Sequence, residues 1–415
     1  MTSDRLARRL GTGDAVVVGL SAMIGAGVFA AFAPAAAAAG SALFVGLGIA
    51  AVIAFCNAVA SAQLAACHPS SGGTYLFGRE VLGPWWGFVA GWGFVIGKTA
   101  SCAAMAMTFA AYAVPGGGWP QKAAAAVAVV MLTLATMRGI TRTARLARIL
   151  LTATLGVLLL ALVVTSVGEP SAPDPLGAPD SVRDVLQAAG LLFFAFAGYA
   201  RIATLAEEVR RPEMLGRAIL ISLGVAVVLY VAVGLALVRA LGADLATSTA
   251  PLSDAVTAVG AAWAEPVVRI GAAAACLGAL LALLAGVTRT GLAMARERDL
   301  PTPLAHVDPV HQVPDRAQVA LGLAVVVLVL TVDLRGAIGF SSFGVLVYYA
   351  VANLSALRQP AEQRRWPRAL QVLGLAGCLV LAAMLPLASV LTGLGVLAVG
   401  VLGRLVLRRP SVLDG

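Results

Sequence analysis

Lys98 lies near the middle of a long apolar segment that runs from residue 84 to residue 113. A charged side chain at that depth in an apolar helix is unfavourable, so it is usually retained for a function. An ammonium enclosed there could load and release a proton, or pair with the carboxylate of a bound molecule. The alternative is a lysine that reaches out to an interface, which the central position disfavours. We therefore predict Lys98 as a binding and coupling residue.

Glycines interrupt two other apolar segments at mid-length. The first segment contains Gly25 and Gly27, and the second contains Gly198 after a run of phenylalanine and alanine. Each glycine inside a helix costs about 1 kcal/mol relative to alanine. One interpretation is close packing of helices through small residues. The other is a pair of broken helices, whose free backbone groups are tolerated inside a membrane only where they line a cavity.

Broken backbone at these two places would have a defined chemistry. Free amide groups near Gly25 and Gly27 would attract a carboxylate. Free carbonyl groups near Phe194, Ala195 and Ala197 would accept hydrogen bonds from an ammonium. Together they would hold both charged ends of a zwitterion, which predicts an α-amino acid as the ligand. Interrupted helices at corresponding positions of two halves are also typical of transporters built on an inverted repeat.

The composition places these features in a membrane protein. The chain has 415 residues, of which 60% are hydrophobic and 12% are charged, whereas a soluble domain has about 25% charged residues. Its mean hydropathy is +0.93. These values exclude a soluble enzyme, a nucleic-acid-binding protein and a secreted disulfide-rich protein, and they predict membrane lipids as partners. The sequence shows no paired carboxylates, nucleophile–histidine pattern or metal-ligand cluster, so we expect no enzymatic activity, cofactor, metal site or obligatory protein partner.

Apolar runs of about 20 residues predict membrane-spanning helices. We predict an all-α polytopic membrane protein whose first and sixth helices are broken. The twelve predicted spans are 14–36, 40–66, 84–113, 121–138, 148–167, 184–208, 216–240, 265–296, 316–332, 334–357, 368–386 and 387–407. Residues 1–13 and 408–415 are predicted as the terminal tails.

The basic residues indicate how these spans are oriented. If successive connections alternate between two sides, 23 of the 29 lysine and arginine residues fall on the side of the N-terminus and five on the other, with Lys98 on neither. Cytoplasmic connections carry the excess of lysine and arginine. We therefore predict a multi-pass protein of the cytoplasmic membrane with both termini in the cytoplasm.

The glycine-containing segments and several loops resemble a known family. Ile24–Phe29 is similar to the first-helix signature of the amino acid–polyamine–organocation transporters, and Ser61–Tyr75 resembles that family's loop after helix two. Phe194–Tyr199 and Glu207–Pro212 resemble its sixth helix and the loop that follows, and Arg289–Pro301 resembles its eighth-helix exit. The motifs occur in the family's order and cover most of the chain.

This resemblance implies a secondary transporter of amino acids or closely related small amines that works by alternating access. It also implies a LeuT-like five-plus-five inverted repeat, with residues 14–167 and 184–357 as the repeats and 366–407 as two additional helices. Main-chain groups of the first break would hold the substrate carboxylate, those of the second would hold its amine, and an aromatic ring would occlude the site. The residues in these roles are Ile24, Gly25, Ala26 and Gly27 for the carboxylate, Phe194, Ala195 and Ala197 for the amine, and Phe196 for occlusion.

Two departures from the family pattern concern the coupling ion. Many proton-coupled relatives carry a lysine in helix five, where this chain has Thr154. Sodium-coupled relatives of this fold offer paired hydroxyls in helix eight, which here has no serine or threonine before Thr288. We therefore expect a sodium-independent protein in which Lys98 takes part in proton coupling. The alternatives are an exchanger or facilitator without ion coupling and a transporter-like amino acid sensor, and the preferred substrate side chain stays open.

Two acidic residues, Glu207 and Glu208, follow the sixth span at the predicted cytoplasmic face. One interpretation is a solvated helix end. The other is ion pairing with a neighbouring cytoplasmic loop that holds a gate shut. Glu207, Glu208 and Phe196 are therefore our predicted gating residues.

Overall fold

The computed structural model describes residues 11–67, 72–139, 144–170, 173–199 and 214–407. Within these residues the chain forms helices and turns and contains no strand, as the all-α prediction requires. In chain order, the α-helices α1 to α16 are Thr12–Met23, Ala26–Ala30, Phe32–Ala39, Leu43–Cys67, Gly73–Val81, Pro84–Ala113, Gly118–Met137, Ala144–Val167, Val182–Phe196, Met214–Leu241, Pro251–Ala258, Glu265–Arg296, Asp315–Thr331, Leu334–Arg358, Arg368–Met384 and Leu387–Leu407.

Ten helical segments of the described residues are long and apolar enough to cross a membrane, so the protein is a multi-pass membrane protein. Each of the twelve predicted spans contains helix. The predicted spans 316–332 and 368–386 correspond to α13 and α15, which have 17 residues each. A helix that crosses the hydrocarbon region needs about 20 residues. The count of twelve spans, the inverted repeat and the predicted orientation therefore stay predictions.

The first predicted helix break is present, and the α-helix of the second glycine-containing segment ends where the break was predicted. Helix α1 ends at Met23, and α2 begins at Ala26 after Gly25, whose backbone is not helical, with φ −83° and ψ −135°. Helix α9 ends at Phe196 and continues as a single 3₁₀ turn, Ala197–Tyr199. The sequence therefore predicted correctly where α1 and α9 end, and the continuation of the second segment, residues 200–213, lies outside the described residues.

The two breaks also pack directly against each other. A Cβ atom added to Gly27 would lie 2.5 Å from the Cα of Ala195, and one added to Gly198 would collide with the carbonyl oxygen of Ala22. Any side chain at either glycine would therefore push the two segments apart. Close packing therefore holds at both glycines, and at Gly27 it occurs directly beside the first helix break.

Helix α6, which carries Lys98, is held closely against α14. A Cβ atom added to Gly344 would lie 2.7 Å from the Cα of Gly97, so the two helix backbones touch. The hydroxyl oxygens of Ser101 and Ser341 are 2.6 Å apart. Small residues allow membrane helices this close approach, and hydroxyls then hydrogen-bond across the contact. Lys98 thus sits on a helix whose position is fixed by α14.

A buried ion cluster joins α5, α6, α12 and α16 at the predicted cytoplasmic end. The Asp299 carboxylate accepts hydrogen bonds from the Tyr75 hydroxyl at 2.9 Å and from Arg79 at 3.3 Å. It also forms an ion pair with Arg404 at 2.9 Å, and both of these side chains are fully buried. The Arg404 guanidinium lies 4.4 Å from the centroid of the Trp85 ring, a cation–π distance. Burial and the Asp299 carboxylate raise the pKa of the Tyr75 hydroxyl, so this group stays a donor.

We expect Asp299→Asn to lower the free energy of unfolding by about 3 kcal/mol, because the buried Arg404 guanidinium would lose the charge of its Asp299 partner. Thermal unfolding of the purified protein in detergent measures this loss. Replacing a buried ion pair by apolar groups is often nearly neutral. The matched control is therefore Asp299→Asn combined with Arg404→Met, which should be more stable than Asp299→Asn alone. Equal stability of the single and double variants would contradict this account of the cluster.

Candidate binding site

The first helix break faces side chains from two long helices. A Cβ atom added to Gly25 would lie 2.9 Å from the Cβ of Ala279 in α12 and 3.7 Å from the Cε of Met105 in α6. The other side of this break is the contact between Gly27 and Ala195. The candidate site therefore lies in the interior of the bundle, among α1, α2, α6, α9 and α12.

The predicted site residues are buried wherever their side chains are described. Lys98 and Phe194 are each 6% exposed, and Phe196 is fully buried. The ring of Phe196 lies 5.0 Å from the ring of Tyr230, centroid to centroid, which puts it beside the two breaks. Glu207 and Glu208, the other predicted gating residues, lie outside the described residues.

Lys98 reaches the second break. Its Nζ donates a hydrogen bond to the carbonyl oxygen of Ala197 at 3.1 Å. Ala197 is the first residue of the 3₁₀ turn that follows α9, so its carbonyl lies where the regular α-helix has ended. The predicted mid-membrane lysine and the predicted second break are thus one structural unit.

Tyr230 of α10 links the two breaks, and the sequence analysis missed it. Its hydroxyl oxygen lies 2.7 Å from the carbonyl oxygen of Met23 and 2.9 Å from that of Ala195. A tyrosine hydroxyl carries one proton, so it donates to these two carbonyls in alternation or shares its proton between them. Tyr230 is the single polar aromatic residue of the predicted span 216–240, and a buried tyrosine hydroxyl usually finds a partner. That signal indicates a polar contact but does not say with what.

A second buried tyrosine, Tyr112, lies at the C-terminal end of α6, whereas the Asp299 cluster is at the N-terminal end. The Tyr112 hydroxyl donates to the carbonyl of Phe29 at 3.2 Å and accepts from the amide of Leu252 at 3.3 Å. Phe29 belongs to α2 and Leu252 to α11, a short helix between two long ones. Tyr112 therefore ties the segment beyond the first break to the connection between α10 and α12.

The hydroxyls that bear on the coupling ion are bonded within their own helices. Thr154 donates to the carbonyl of Leu150, and Thr288 donates to the carbonyl of Leu284, each four residues earlier. Hydrogen bonds of this kind satisfy the hydroxyl locally. The position of the helix-five lysine of proton-coupled relatives is thus taken by a neutral, internally bonded side chain.

Comparison with known proteins agrees with this architecture. Residues 10–403 match the family model described as amino acid permease. The chain is 54% identical to an uncharacterized transporter of Mycobacterium tuberculosis strain H37Rv, over 99% of this chain and 94% of that protein. It is 28% identical to the branched-chain amino acid permease BcaP of Bacillus subtilis, over 89% and 84% of the two chains. It is also 28% identical to a vacuolar cationic amino acid transporter of Arabidopsis thaliana, over 88% and 62%. The resemblance seen in the motifs is therefore confirmed, and the chain belongs to the amino acid permease family of the amino acid–polyamine–organocation superfamily.

Proposed function

We propose that the protein is a secondary active transporter that moves amino acids across the cytoplasmic membrane by alternating access, coupled to protons and independent of sodium. The observation that carries the proposal is the meeting of two broken helices beside a buried lysine. Amides and carbonyls outside regular helix at one place suit a zwitterion, and a broken backbone at that depth is otherwise unfavourable. Membership of the amino acid permease family supports the same substrate class.

In this proposal the backbone holds the part that all α-amino acids share. Main-chain groups of the first break bind the substrate carboxylate, and carbonyls of the second break bind the ammonium. Phe196 closes over the bound molecule, since its ring is already packed beside the breaks. The residues proposed for these contacts are Ile24, Gly25, Ala26 and Gly27 on the carboxylate side and Phe194, Ala195 and Ala197 on the amine side.

The surroundings favour a neutral substrate. Met23, Met105 and Phe196 are buried apolar side chains around the breaks, and the Lys98 ammonium disfavours a second cation nearby. The Bacillus subtilis relative is named for branched-chain amino acids, whereas the plant relative is named for cationic ones. L-Leucine is therefore the first probe, and L-arginine is the probe for the opposite outcome.

A thermal-shift screen of the purified protein against the twenty amino acids and common polyamines at two pH values tests the substrate class. We expect neutral amino acids to raise the melting temperature, because a ligand that binds only the folded state stabilises it. Uptake of the selected compound into proteoliposomes, with sodium or choline outside, then tests transport. Uptake only when substrate is present inside would identify an exchanger, and binding without any flux would identify a sensor.

Lys98→Ala is expected to abolish the pH dependence of uptake while the protein stays folded, because the proposed proton carrier is removed. Radiolabelled L-leucine uptake into proteoliposomes over a range of pH measures this, and the melting temperature of the variant serves as the folding control. A variant with the wild-type rate and the wild-type pH profile would remove Lys98 from the coupling mechanism.

Tyr230→Phe is expected to weaken L-leucine binding about tenfold, since the variant loses the hydroxyl that holds Met23 of the first break close to Ala195 of the second. The phenylalanine ring keeps the packing against Phe196, so the loss reports the hydroxyl. Tyr112→Phe is the matched control, because it removes a buried hydroxyl of the same chemistry away from the contact between the two breaks. Equal loss of affinity in both variants would mean that the effect is not specific to the breaks.

A further inference from the structure

Lys98 and an amino acid substrate carry the same chemical group. A lysine side chain and the α-amine of an amino acid are both primary ammonium ions with three N–H donors and no acceptor. In the structure Nζ of Lys98 donates a hydrogen bond to the Ala197 carbonyl at 3.1 Å. Ala197 begins the turn that interrupts the sixth predicted span. Lys98 therefore engages an acceptor that the proposed function assigns to the substrate amine.

The contacts at the second break differ in charge. The Ala195 carbonyl faces the neutral hydroxyl of Tyr230, which has a second acceptor at Met23, 2.7 Å away, and can turn to it. The Ala197 carbonyl faces the amine of a buried side chain, 6% exposed, which carries a full positive charge when protonated and belongs to a helix that α14 holds in place. The arrival of a second ammonium therefore has its largest electrostatic effect at Ala197.

Two ammonium groups cannot share this carbonyl at low free energy. A carbonyl oxygen has two lone pairs, but two donors on one oxygen would lie within about 5 Å of each other. At an effective dielectric constant of about 20, repulsion between unit charges at that distance weakens binding on the order of 100-fold. The titratable side chains in the middle of the described elements around Lys98 are thiols and phenols, which are neutral at physiological pH. They are Cys102 on α6, Cys276 on α12, Tyr199 after the break, Tyr230 on α10, and Tyr348 and Tyr349 on α14.

We propose that the protonated Lys98 side chain and the substrate α-ammonium are alternative occupants of the Ala197 carbonyl, so that a proton is exchanged for an amino acid. The proposal rests on the proposed transport of amino acids by this same site. As substrate binds, the Lys98 ammonium loses one proton to the water on the side to which the site is open. The resulting neutral amine keeps a lone pair and can accept a hydrogen bond from the substrate ammonium. When the substrate leaves, the amine takes up one proton and returns to Ala197.

The mutual exclusion of protonated Lys98 and the substrate ammonium at the Ala197 carbonyl determines whether substrate affinity rises or falls with pH. Protonated Lys98 competes with the substrate, so affinity rises as the pH rises and the proton is lost. The limit is about tenfold in affinity per pH unit, because one proton is released for each substrate bound. Co-transport of a proton with the substrate predicts the opposite pH dependence: affinity would fall as the pH rises, since proton and substrate would bind together.

Equilibrium binding of tritiated L-leucine to the purified full-length protein at acidic and alkaline pH tests the exclusion. The wild type should bind more tightly at alkaline pH. Lys98→Met removes the competing charge and should bind at least about tenfold more tightly than the wild type at acidic pH, with no pH dependence. Lys98→Arg keeps a permanent positive charge and should bind weakly at both pH values. Weaker binding by Lys98→Met than by the wild type, or tighter wild-type binding at acidic pH, would overturn the proposal.

Proteoliposomes test the direction of coupling. An acidic interior should drive accumulation of L-leucine by the wild type, because protons leave as substrate enters. An acidic exterior should not. Lys98→Met should respond to neither gradient, and its melting temperature shows whether it is folded. Accumulation driven by an acidic exterior would overturn exchange while leaving amino acid transport intact.

The outcomes separate the two proposals. If the wild type neither binds nor transports any amino acid in the screen, the proposed function fails, and the exclusion at Ala197 fails with it. If the wild type transports L-leucine but Lys98→Met does not gain affinity, only the exclusion fails. If another amino acid is selected in the screen, it replaces L-leucine as the probe in both experiments.

Discussion

Every backbone group freed by a helix break inside a membrane needs a partner, because hydrocarbon offers none. Here the partners come from helices that are themselves unbroken. The hydroxyl of Tyr230 lies within hydrogen-bonding distance of one carbonyl from each break, and Lys98 donates to another. The interruptions in α1 and α9 are therefore not local properties of glycine-rich sequence alone. Helices α10 and α6 bring hydrogen-bond donors to them.

Helix α6 connects the parts of the bundle that matter for this site. Near its beginning, Trp85 lies against the guanidinium of Arg404. In its middle, Gly97 touches α14 and the next residue, Lys98, reaches the second break. Near its end, Tyr112 bonds to segments on either side. A displacement of α6 would change the contacts of Trp85, Lys98 and Tyr112 together. Its tight packing against α14 is therefore needed for a well-defined site.

The features that could be predicted from the sequence were residues of a type unusual for the apolar segment that contains them. A lysine inside an apolar run and glycines at mid-span are visible without knowing their neighbours, and they correctly indicated where α1 and α9 end. The role of Tyr230 was not predicted because it depends on the two carbonyls that its hydroxyl contacts, and one of them is 207 residues away in the chain. The ion pair between Asp299 and Arg404 was missed for the same reason, since each residue alone looks like an ordinary charge at the end of a helix. Hydropathy predicted the helical segments well, yet α13 and α15 are short, so length alone does not assign them to the membrane.

The contact between the breaks leaves no space at Gly27, where an added side chain would meet the backbone of Ala195. Gly25 is limited in the same way by Ala279. In the proposed transporter, these segments can therefore bind only the portion common to all amino acids. Discrimination between one amino acid and another must come from side chains on other helices, such as Met105 and Ala279. The volume available to a substrate side chain can then change by single substitutions on α6, such as at Met105, that leave the main-chain contacts in place, so specificity can evolve separately from the ability to bind an amino acid at all.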